Sequence, residues 1–279
     1  MKLIVDIGGT KGRWFVLDKK NQISFKSDGF NPFTSKIDVL SGILVSLKSS
    51  FDFDSILNIH YYGAGISSEN KKSEVRKVLK RFFTKSDVEI NSDLLGSCRA
   101  LCNDKSGVVG ILGTGSNSCY YDGNKIKSKI KSLGYLLGDE GSGFDMGKKI
   151  LIGYLRNDMP TTLKDKFSIK FDKKMDLLER LYNESNKEKF IASFSNFIHE
   201  NKENEYIRKF LQNHFSNYFE NIILKYSSKN IYLTGSIAYY FKNEILMVAK
   251  EKKLIIEKIE KDPINHLCDF HYKYNRFAN

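Results

Sequence analysis

The 279-residue chain lacks several features that would assign it to a class at once. It has only three prolines, and no proline-rich linker marks a boundary between domains. No apolar run approaches the roughly 20 residues that a membrane span needs. The apolar stretch near the N-terminus ends at once at Asp6 and two glycines, which is not the pattern of a signal peptide. We therefore expect a cytoplasmic protein without a membrane partner.

Metal-binding and nucleophile motifs are also missing. The five histidines include no HExxH motif and no pairing with a Ser or Cys nucleophile motif. The four cysteines lack the paired CxxC spacing of zinc sites. In a cytoplasmic chain we expect them to be free and mostly buried thiols. These residues are Cys98, Cys102, Cys119 and Cys268.

The formal net charge is +12, but it is not concentrated in one region. Lysines are interleaved with acidic residues along the whole chain, as in Glu257–Lys261, and no arginine cluster occurs. Proteins that bind nucleic acid usually carry their basic residues on one face or in one tract. We therefore expect no nucleic-acid partner, although a basic field would attract a small anionic ligand.

One unusual turn occurs twice in the chain. Asp6–Lys11 (DIGGTK) and Gly113–Asn117 (GTGSN) each interrupt two strand-like runs, and Thr10 and Thr114 are 104 residues apart. A glycine has no Cβ, so a hairpin of this kind brings backbone N–H groups close to a ligand. The pair predicts two hairpins that bind phosphate groups. The alternative for the first is a plain β-turn with an exposed lysine.

The rest of the pattern alternates strands with amphipathic helices, which indicates an α/β protein in two related halves. We place the boundary near 105, where a polar segment follows the first half. The predicted domains are 1–105 and 106–265, with a helical insertion over about 160–226 in the second. A last helix, over about 266–279, can pack back on the first domain.

These motifs, taken in order with Leu233–Ser236 (LTGS), resemble the phosphate and adenosine motifs of the sugar kinase, Hsp70 and actin superfamily. Within this superfamily, the chain resembles the N-acetylglucosamine kinase and BadF/BadG/BcrA/BcrD-type ATPase family over nearly its full length. The residues that carry this closer resemblance are Asn31-Pro32, Asp93 and Gly134–Gly143 (GYLLGDEGSG). The resemblance implies two actin-like (ribonuclease H-like) domains of mixed sheet flanked by helices, with an interdomain nucleotide cleft.

The expected nucleotide is ATP. Backbone N–H groups, hydroxyls and one ammonium group can donate hydrogen bonds to phosphate oxygens, and small residues after a strand leave room for adenosine. Asp6, at the end of a buried strand, needs a counter-charge, which Mg²⁺ would supply through water. A salt bridge to Lys11 or another cation is the alternative. The residues predicted to bind ATP are Gly8, Gly9, Thr10, Lys11, Gly113, Thr114, Gly115, Gly235 and Ser236.

Asp93 is the predicted catalytic base. Phosphoryl transfer to an alcohol needs a group that accepts the hydroxyl proton, and a carboxylate at a helix start can reach a cleft. The alternative is that Asp93 only caps this helix. The resemblance implies that Asn31, Asp93, Gly134 and Asp139 contact a sugar. Asp139 could instead hold a structural loop, and the role of Glu140 stays open.

The resulting expectation is an ATP-dependent kinase of an N-acetylated amino sugar, with N-acetylglucosamine as the first candidate. A homodimer is compatible with the sequence. One alternative is a sugar-independent ATPase that couples domain closure to a partner protein, as in activators of the BadF/BadG type. Those relatives carry an iron–sulfur cluster, which the cysteine pattern here does not suggest. A nucleotide-binding regulator without turnover is another alternative.

Overall fold

The computed structural model describes residues 1–18, 22–171 and 176–274. It contains ten strands and thirteen α-helices in this described part of the chain. The strands are β1 (Lys2–Ile7), β2 (Lys11–Leu17), β3 (Gln22–Asp28), β4 (Asn58–Gly63), β5 (Asp87–Ser92), β6 (Gly107–Leu112), β7 (Ser116–Tyr121), β8 (Ile126–Ser128), β9 (Asn230–Thr234) and β10 (Ile255–Glu260). The helices are α1 (Asp38–Leu47), α2 (Glu69–Phe82), α3 (Asp93–Cys102), α4 (Gly134–Leu137), α5 (Gly143–Leu155), α6 (Thr161–Phe171), α7 (Leu177–Asn183), α8 (Lys187–Ser193), α9 (Ser195–Glu200), α10 (Glu205–Asn221), α11 (Ser236–Tyr240), α12 (Lys242–Glu251) and α13 (Ile264–Tyr274).

The chain divides into two compact units. The first unit contains Met1–Lys105, Gly123–Lys125 and the chain from Asp262 onward. The second contains Ser106–Asp122 and Ile126–Lys261. The last helix therefore belongs to the first unit. It begins at Ile264, earlier than predicted, and residues 275–279 of the predicted helix lie outside the described residues, as do 172–175 of the predicted insertion.

The first unit is built on a mixed sheet with the strand order β3-β2-β1-β4-β5, in which β1, β4 and β5 are parallel. Side chains alternate between the two faces of a strand. Leu3 and Val5 pack in the cluster that includes buried residues of α1 and α2. Ile4 packs with Ala100 of α3 and Leu267 of α13 on the other face. Asp6, two residues after Ile4, therefore faces α3 and α13.

The second unit repeats this sheet strand for strand. Its order is β8-β7-β6-β9-β10, with β6, β9 and β10 parallel, so that β6 takes the place that β1 has in the first unit. Helices α5 to α12 build its core, which is rich in phenylalanine, around Phe167, Phe194 and Phe215. The internal repeat that the sequence predicted is confirmed, as is the α/β class with two mixed sheets flanked by helices.

Helix α2 is charged and amphipathic, with Val75, Val78 and Leu79 buried. Helices α11 and α12 follow β9 and meet at Phe241. All four cysteines are buried thiols that form no disulfide bond within the described residues, as expected. No helix of the described residues combines the length and the apolar character that crossing a bilayer requires.

Gly147 of α5 gives a direct test of helix packing in the second unit. A Cβ at this position would lie 1.9 Å from the carbonyl oxygen of Ile191 in α8. We expect Gly147→Ala to destabilise the second unit by about 1–3 kcal/mol, because the two helices would have to separate. Faster hydrogen exchange of α5 and α8 would report this loss.

The matched control is Gly42→Ala in α1, where no atom lies within 4 Å of an added Cβ. It should be neutral or should stabilise α1 by up to about 1 kcal/mol, because alanine favours the helix more than glycine does. Unchanged exchange in the Gly147 variant would contradict the packing of α5 on α8.

Candidate functional site

The first glycine turn joins β1 to β2. Its loop is closed by the Gly8 N–H group, which donates to the Lys11 carbonyl at 2.9 Å. Gly9, Thr10 and Lys11 are exposed. The turn therefore presents backbone N–H groups, a hydroxyl and an ammonium group at one end of the sheet. It lies at the carboxyl ends of the parallel strands, the edge where α/β sheets bind ligands.

Gly29, which the sequence analysis did not single out, supports this turn from behind. A Cβ at Gly29 would come within 2.4 Å of the Gly9 carbonyl carbon and the Thr10 nitrogen. The next residue, Phe30, donates its N–H to the Gly8 carbonyl at 3.0 Å. The segment after β3 thus packs backbone to backbone against the turn, which only glycine permits. The sequence feature that could have indicated this contact is a glycine directly after a strand.

Three carboxylates lie near the same edge. Asp6 is at the end of β1, Asp93 begins α3, and Asp262 precedes α13. Burial, then the charges of Asp262 and Asp93, raises the pKa of Asp6 to about 7, against the opposing effect of Lys11 and Arg13. Asp6 is therefore a strained carboxylate that a cation would stabilise.

The cations of the turn bind Asp262 rather than Asp6. Arg13 Nε donates to Asp262 Oδ2 at 3.0 Å, and Lys11 Nζ lies 3.5 Å from the same oxygen. Within residues 1–18, 22–171 and 176–274, Asp6 forms no ion pair, so the salt bridge that the sequence also allowed is not made. Arg13 and Asp262 were both missed, although Arg13 follows Lys11 at the strand spacing of two.

Asp93 is the first residue of α3, and the cap of this helix is Ser92, whose hydroxyl accepts the Leu95 N–H at 3.3 Å. Asp93 Oδ1 accepts its neighbour's N–H, from Leu94, at 2.8 Å. The capping role that the sequence also allowed for Asp93 thus belongs to Ser92. Gly96 brings α3 close to β4, since a Cβ there would meet the Tyr62 ring at 2.9 Å.

The second glycine turn joins β6 to β7, and two other motifs pack against it. Gly143 and Phe144 donate their N–H groups to the carbonyls of Gly113 and Thr114 at 2.8 and 2.9 Å. A Cβ at Gly235 would lie 2.3 Å from the Leu112 carbonyl oxygen. The GTGSN, GDEGSG and LTGS segments therefore lie together within the second unit.

Asp139 lies inside this arrangement with 8% of its surface exposed. Its backbone is left-handed (φ 61°), and Gly115 packs directly on its carboxylate, since a Cβ there would lie 2.6 Å from Oδ2. Burial raises the pKa of Asp139 to about 6, although the Ser116 N–H group donates to the carboxylate and opposes the shift. Asp139 thus holds the loop on the turn, which is the structural alternative. Its contact with a sugar stays a prediction.

Two further residues of this region were missed. Ser142 caps α5 by accepting the Asp145 N–H at 3.1 Å, and Asp145 in turn accepts the Gly141 N–H at 3.3 Å. Asp145 also binds Lys149 at 2.8 Å, and the buried His214 lies 3.5 Å from it. The Ser-x-x-Asp spacing at the start of a helix is a capping signal that was available in the sequence.

The other predicted substrate residues lie in loops. Asn31 Oδ1 accepts the Phe33 N–H at 2.9 Å, while its Nδ2 has no partner in the described part of the chain. Gly134 begins α4 with φ at 69° and has open space on its Cβ side. The Ser116 hydroxyl donates a hydrogen bond to the backbone carbonyl of Glu140 at 2.9 Å. A cavity of about 110 Å³ lies beside Asp139 and Glu140 in the second unit.

A magnesium ion fits the donors of the first unit. The described residues contain no group of three or more His, Cys, Asp or Glu side chains that could hold a metal. Mg²⁺ usually takes one or two carboxylates and completes its shell with water and substrate phosphates. Asp6, a carboxylate without an ion pair among the described residues, matches that requirement.

No protein-family profile matches the chain. Its structure is similar to that of a proposed N-acetylglucosamine kinase from Porphyromonas gingivalis, with 31% sequence identity and a TM-score of 0.92. That similarity covers 98% of this chain and 99% of the other. The identity exceeds what a shared fold alone produces and extends over both units.

Two more distant structures share the fold. A proposed N-acetylglucosamine kinase from Chromobacterium violaceum is 13% identical, with a TM-score of 0.73 and coverage of 96% and 98%. A ROK-family glucokinase from Streptomyces griseus, solved with glucose and AMPPNP, is 11% identical, with a TM-score of 0.55 and coverage of 92% and 93%. The two mixed sheets are thus those of the actin-like sugar kinase fold.

The raised pKa of Asp6 predicts how the stability of the first unit depends on pH. A carboxyl group with a raised pKa in the folded state favours folding while it is protonated, and this contribution is lost as the pH rises. The free energy of unfolding should therefore fall between about pH 4 and pH 7. Asp6→Asn should remove this fall and leave the variant up to about 4 kcal/mol more stable than the wild type at pH 8.

Trp14 is the chain's only tryptophan and is fully buried in β2, so its fluorescence during denaturant unfolding reports the first unit. Asp28→Asn, at an exposed position in the same sheet, is the matched control and should keep the wild-type pH dependence. Parallel pH profiles for Asp6→Asn and the wild type would show that Asp6 carries no such strain.

Proposed function

The chain belongs to the N-acetylglucosamine kinase family of actin-like sugar kinases, and we propose that it phosphorylates a hydroxyl group of an N-acetylated amino sugar. As a member of this family it is an ATP-dependent sugar kinase. N-acetylglucosamine is the first candidate substrate. The 31% identity over 98% of the chain is the observation that carries the proposal.

The two glycine turns are the proposed phosphate-binding elements. In the first unit, Gly9, Thr10 and Lys11 are exposed and offer backbone, hydroxyl and ammonium donors, and Gly8 closes the turn. In the second unit, the matching turn Gly113–Gly115 is held by hydrogen bonds from Gly143 and Phe144. Fixed donors of this kind stabilise phosphoryl charge without reorganising during the reaction. Gly235 and Ser236, beside the second turn, are proposed to contact the adenosine.

Asp93 is the proposed base. It begins α3 at the carboxyl edge of β5, near enough to Asp6 for its charge to raise the pKa of Asp6. This position supports a role next to the first phosphate turn. Asp93 would accept the proton of the attacking sugar hydroxyl and orient its oxygen towards the γ-phosphate.

Asp6 is the proposed contact to Mg²⁺, through a water molecule. When bound, the ion supplies positive charge to the β- and γ-phosphates. For its part, Asp6 offers a carboxylate that forms no ion pair in the described part of the chain, and burial together with the neighbouring acids favours a cation beside it. Lys11 supplies a further positive charge at the turn.

Asn31, Asp93, Gly134 and Asp139 are the proposed sugar contacts. Asn31 supports this role best, because its Nδ2 has no partner in the described part of the chain while Oδ1 fixes the side chain in its turn. Asp139 is mostly committed to the second turn and would offer at most its remaining acceptor capacity. The sugar-independent ATPase and the regulator lack a specific observation in their favour.

The test of the substrate is ADP release from Mg–ATP with a panel of sugars. The panel contains N-acetylglucosamine, N-acetylmuramic acid, N-acetylmannosamine, glucosamine, glucose and a blank without sugar. Release that requires one N-acetylated sugar would support the proposal and name the substrate. Equal release without any sugar would support the ATPase instead, and ATP binding without release would support the regulator.

Asp93→Asn tests the proposed base. We expect kcat to fall about 10²- to 10⁴-fold because the amide cannot accept the proton, while nucleotide affinity stays close to that of the wild type. Asp87→Asn, the same change at the exposed start of β5, is the matched control and should keep full activity. An Asp93→Asn enzyme with wild-type kcat on the preferred sugar would remove Asp93 from the mechanism.

A further inference from the structure

We propose that Asp262 is a positioning residue that holds Arg13 and Lys11 away from Asp6 and so keeps the Asp6 carboxylate available for a divalent cation. The inference rests on the proposed function, in which Asp6 is the carboxylate beside the metal of the metal–nucleotide complex. It adds a residue that no motif in the sequence indicated.

The first step concerns the natural partner of Asp6. β1 and β2 are antiparallel, and Asp6 lies directly opposite Arg13 in their register. Side chains in such a pair point to the same face, with Cβ atoms roughly 4.5–5.5 Å apart. An arginine and an aspartate at this spacing are expected to pair, since the guanidinium group can bind a carboxylate through two N–H groups.

Arg13 and Asp6 do not form this ion pair. Arg13 Nε instead donates to Asp262 Oδ2 at 3.0 Å, and Lys11 Nζ lies 3.5 Å from the same atom. Arg13 and Asp262 expose only 26% and 24% of their side chains, so their contact is partly shielded from water. In residues 1–18, 22–171 and 176–274, Asp6 has no ion pair although both cations are near enough to lower its pKa.

Asp262 can hold the two cations because its place in the fold is fixed by α13. It directly precedes Pro263 and α13, and α13 is fixed to the sheet along its length. Leu267 and Cys268 are buried with Ile4. Near the other end of the helix, His271 Nε2 lies 2.8 Å from the Tyr62 hydroxyl, which accepts a hydrogen bond from Arg99 at 2.6 Å. The backbone at Asp262 therefore stays in place when its partners change.

The consequence concerns the variant Asp262→Asn. Without the Asp262 charge, Arg13 would turn to its cross-strand neighbour Asp6, and a metal ion would then have to displace a guanidinium group. The variant should keep its fold, because asparagine has the same shape and α13 keeps its contacts. Metal affinity should fall about fivefold, as for competition with one partly exposed ion pair.

The experiment measures Mn²⁺ binding by electron paramagnetic resonance in the presence of AMPPNP, which needs no turnover. We expect Asp262→Asn to weaken Mn²⁺ binding about fivefold. The double variant Asp262→Asn/Arg13→Gln should return close to wild-type affinity, because Arg13, the cation directly opposite Asp6, is gone. Asp262→Glu should also stay close to wild type. Asp269→Asn, the same change at an exposed position of α13, is the matched control and should bind Mn²⁺ like the wild type.

Three results would overturn the inference. Wild-type Mn²⁺ affinity in Asp262→Asn is the first. The second is weakened Mn²⁺ binding in Asp262→Asn that the added Arg13→Gln change does not restore, when the Trp14 fluorescence shows that both variants are folded. Asp262 would then act without Arg13. Wild-type protein that binds AMPPNP but no Mn²⁺ would also reject it. Normal Mn²⁺ behaviour with no sugar phosphorylated would reject the proposed function alone.

Discussion

A carboxylate at the end of the central strand is the constraint around which the first unit is arranged. Asp6 follows the buried residues 3–5 of β1 and points to the face that α3 and α13 cover. Burying a carboxylate without a counter-charge is unfavourable and raises its pKa. The fold adds Asp93 and Asp262 nearby and thus increases this strain. Such an arrangement is typical of sites where a cation or a proton arrives as part of function.

The second unit has the same sheet topology, but its glycine turn is held in a different way. Its turn at Gly113–Gly115 carries no acid in the place of Asp6, because Gly110 occupies the corresponding position of β6. Its shape depends on close backbone contacts instead, with Gly143 and Gly235 packed against the turn and Asp139 held beneath Gly115. The two turns of the repeat therefore differ. The first is surrounded by charged side chains, and the second is held by backbone contacts and by the buried Asp139.

The sequence predicted the features that depend on local pattern. The repeated turn, the alternation of strands and helices, and the start of α3 at Asp93 were predicted. They follow from glycine placement, periodicity and capping residues, which act within a few residues. What it missed depends on contacts between distant segments. Asp262 meets Arg13 across 249 positions of sequence, and Gly29 is needed only because the first turn packs against it.

Asp139 shows why a motif does not by itself assign a role. The same carboxylate can bind a ligand or hold the loop that forms the ligand site, and either role requires an aspartate at this position. Here its burial, its left-handed backbone and the bond from Ser116 all serve the loop. Asn31, by contrast, uses only one end of its amide to shape its turn and leaves Nδ2 without a partner among the described residues. Side chains that are fixed at one polar atom and open at another are the better candidates for recognition, because their orientation is settled before the ligand binds.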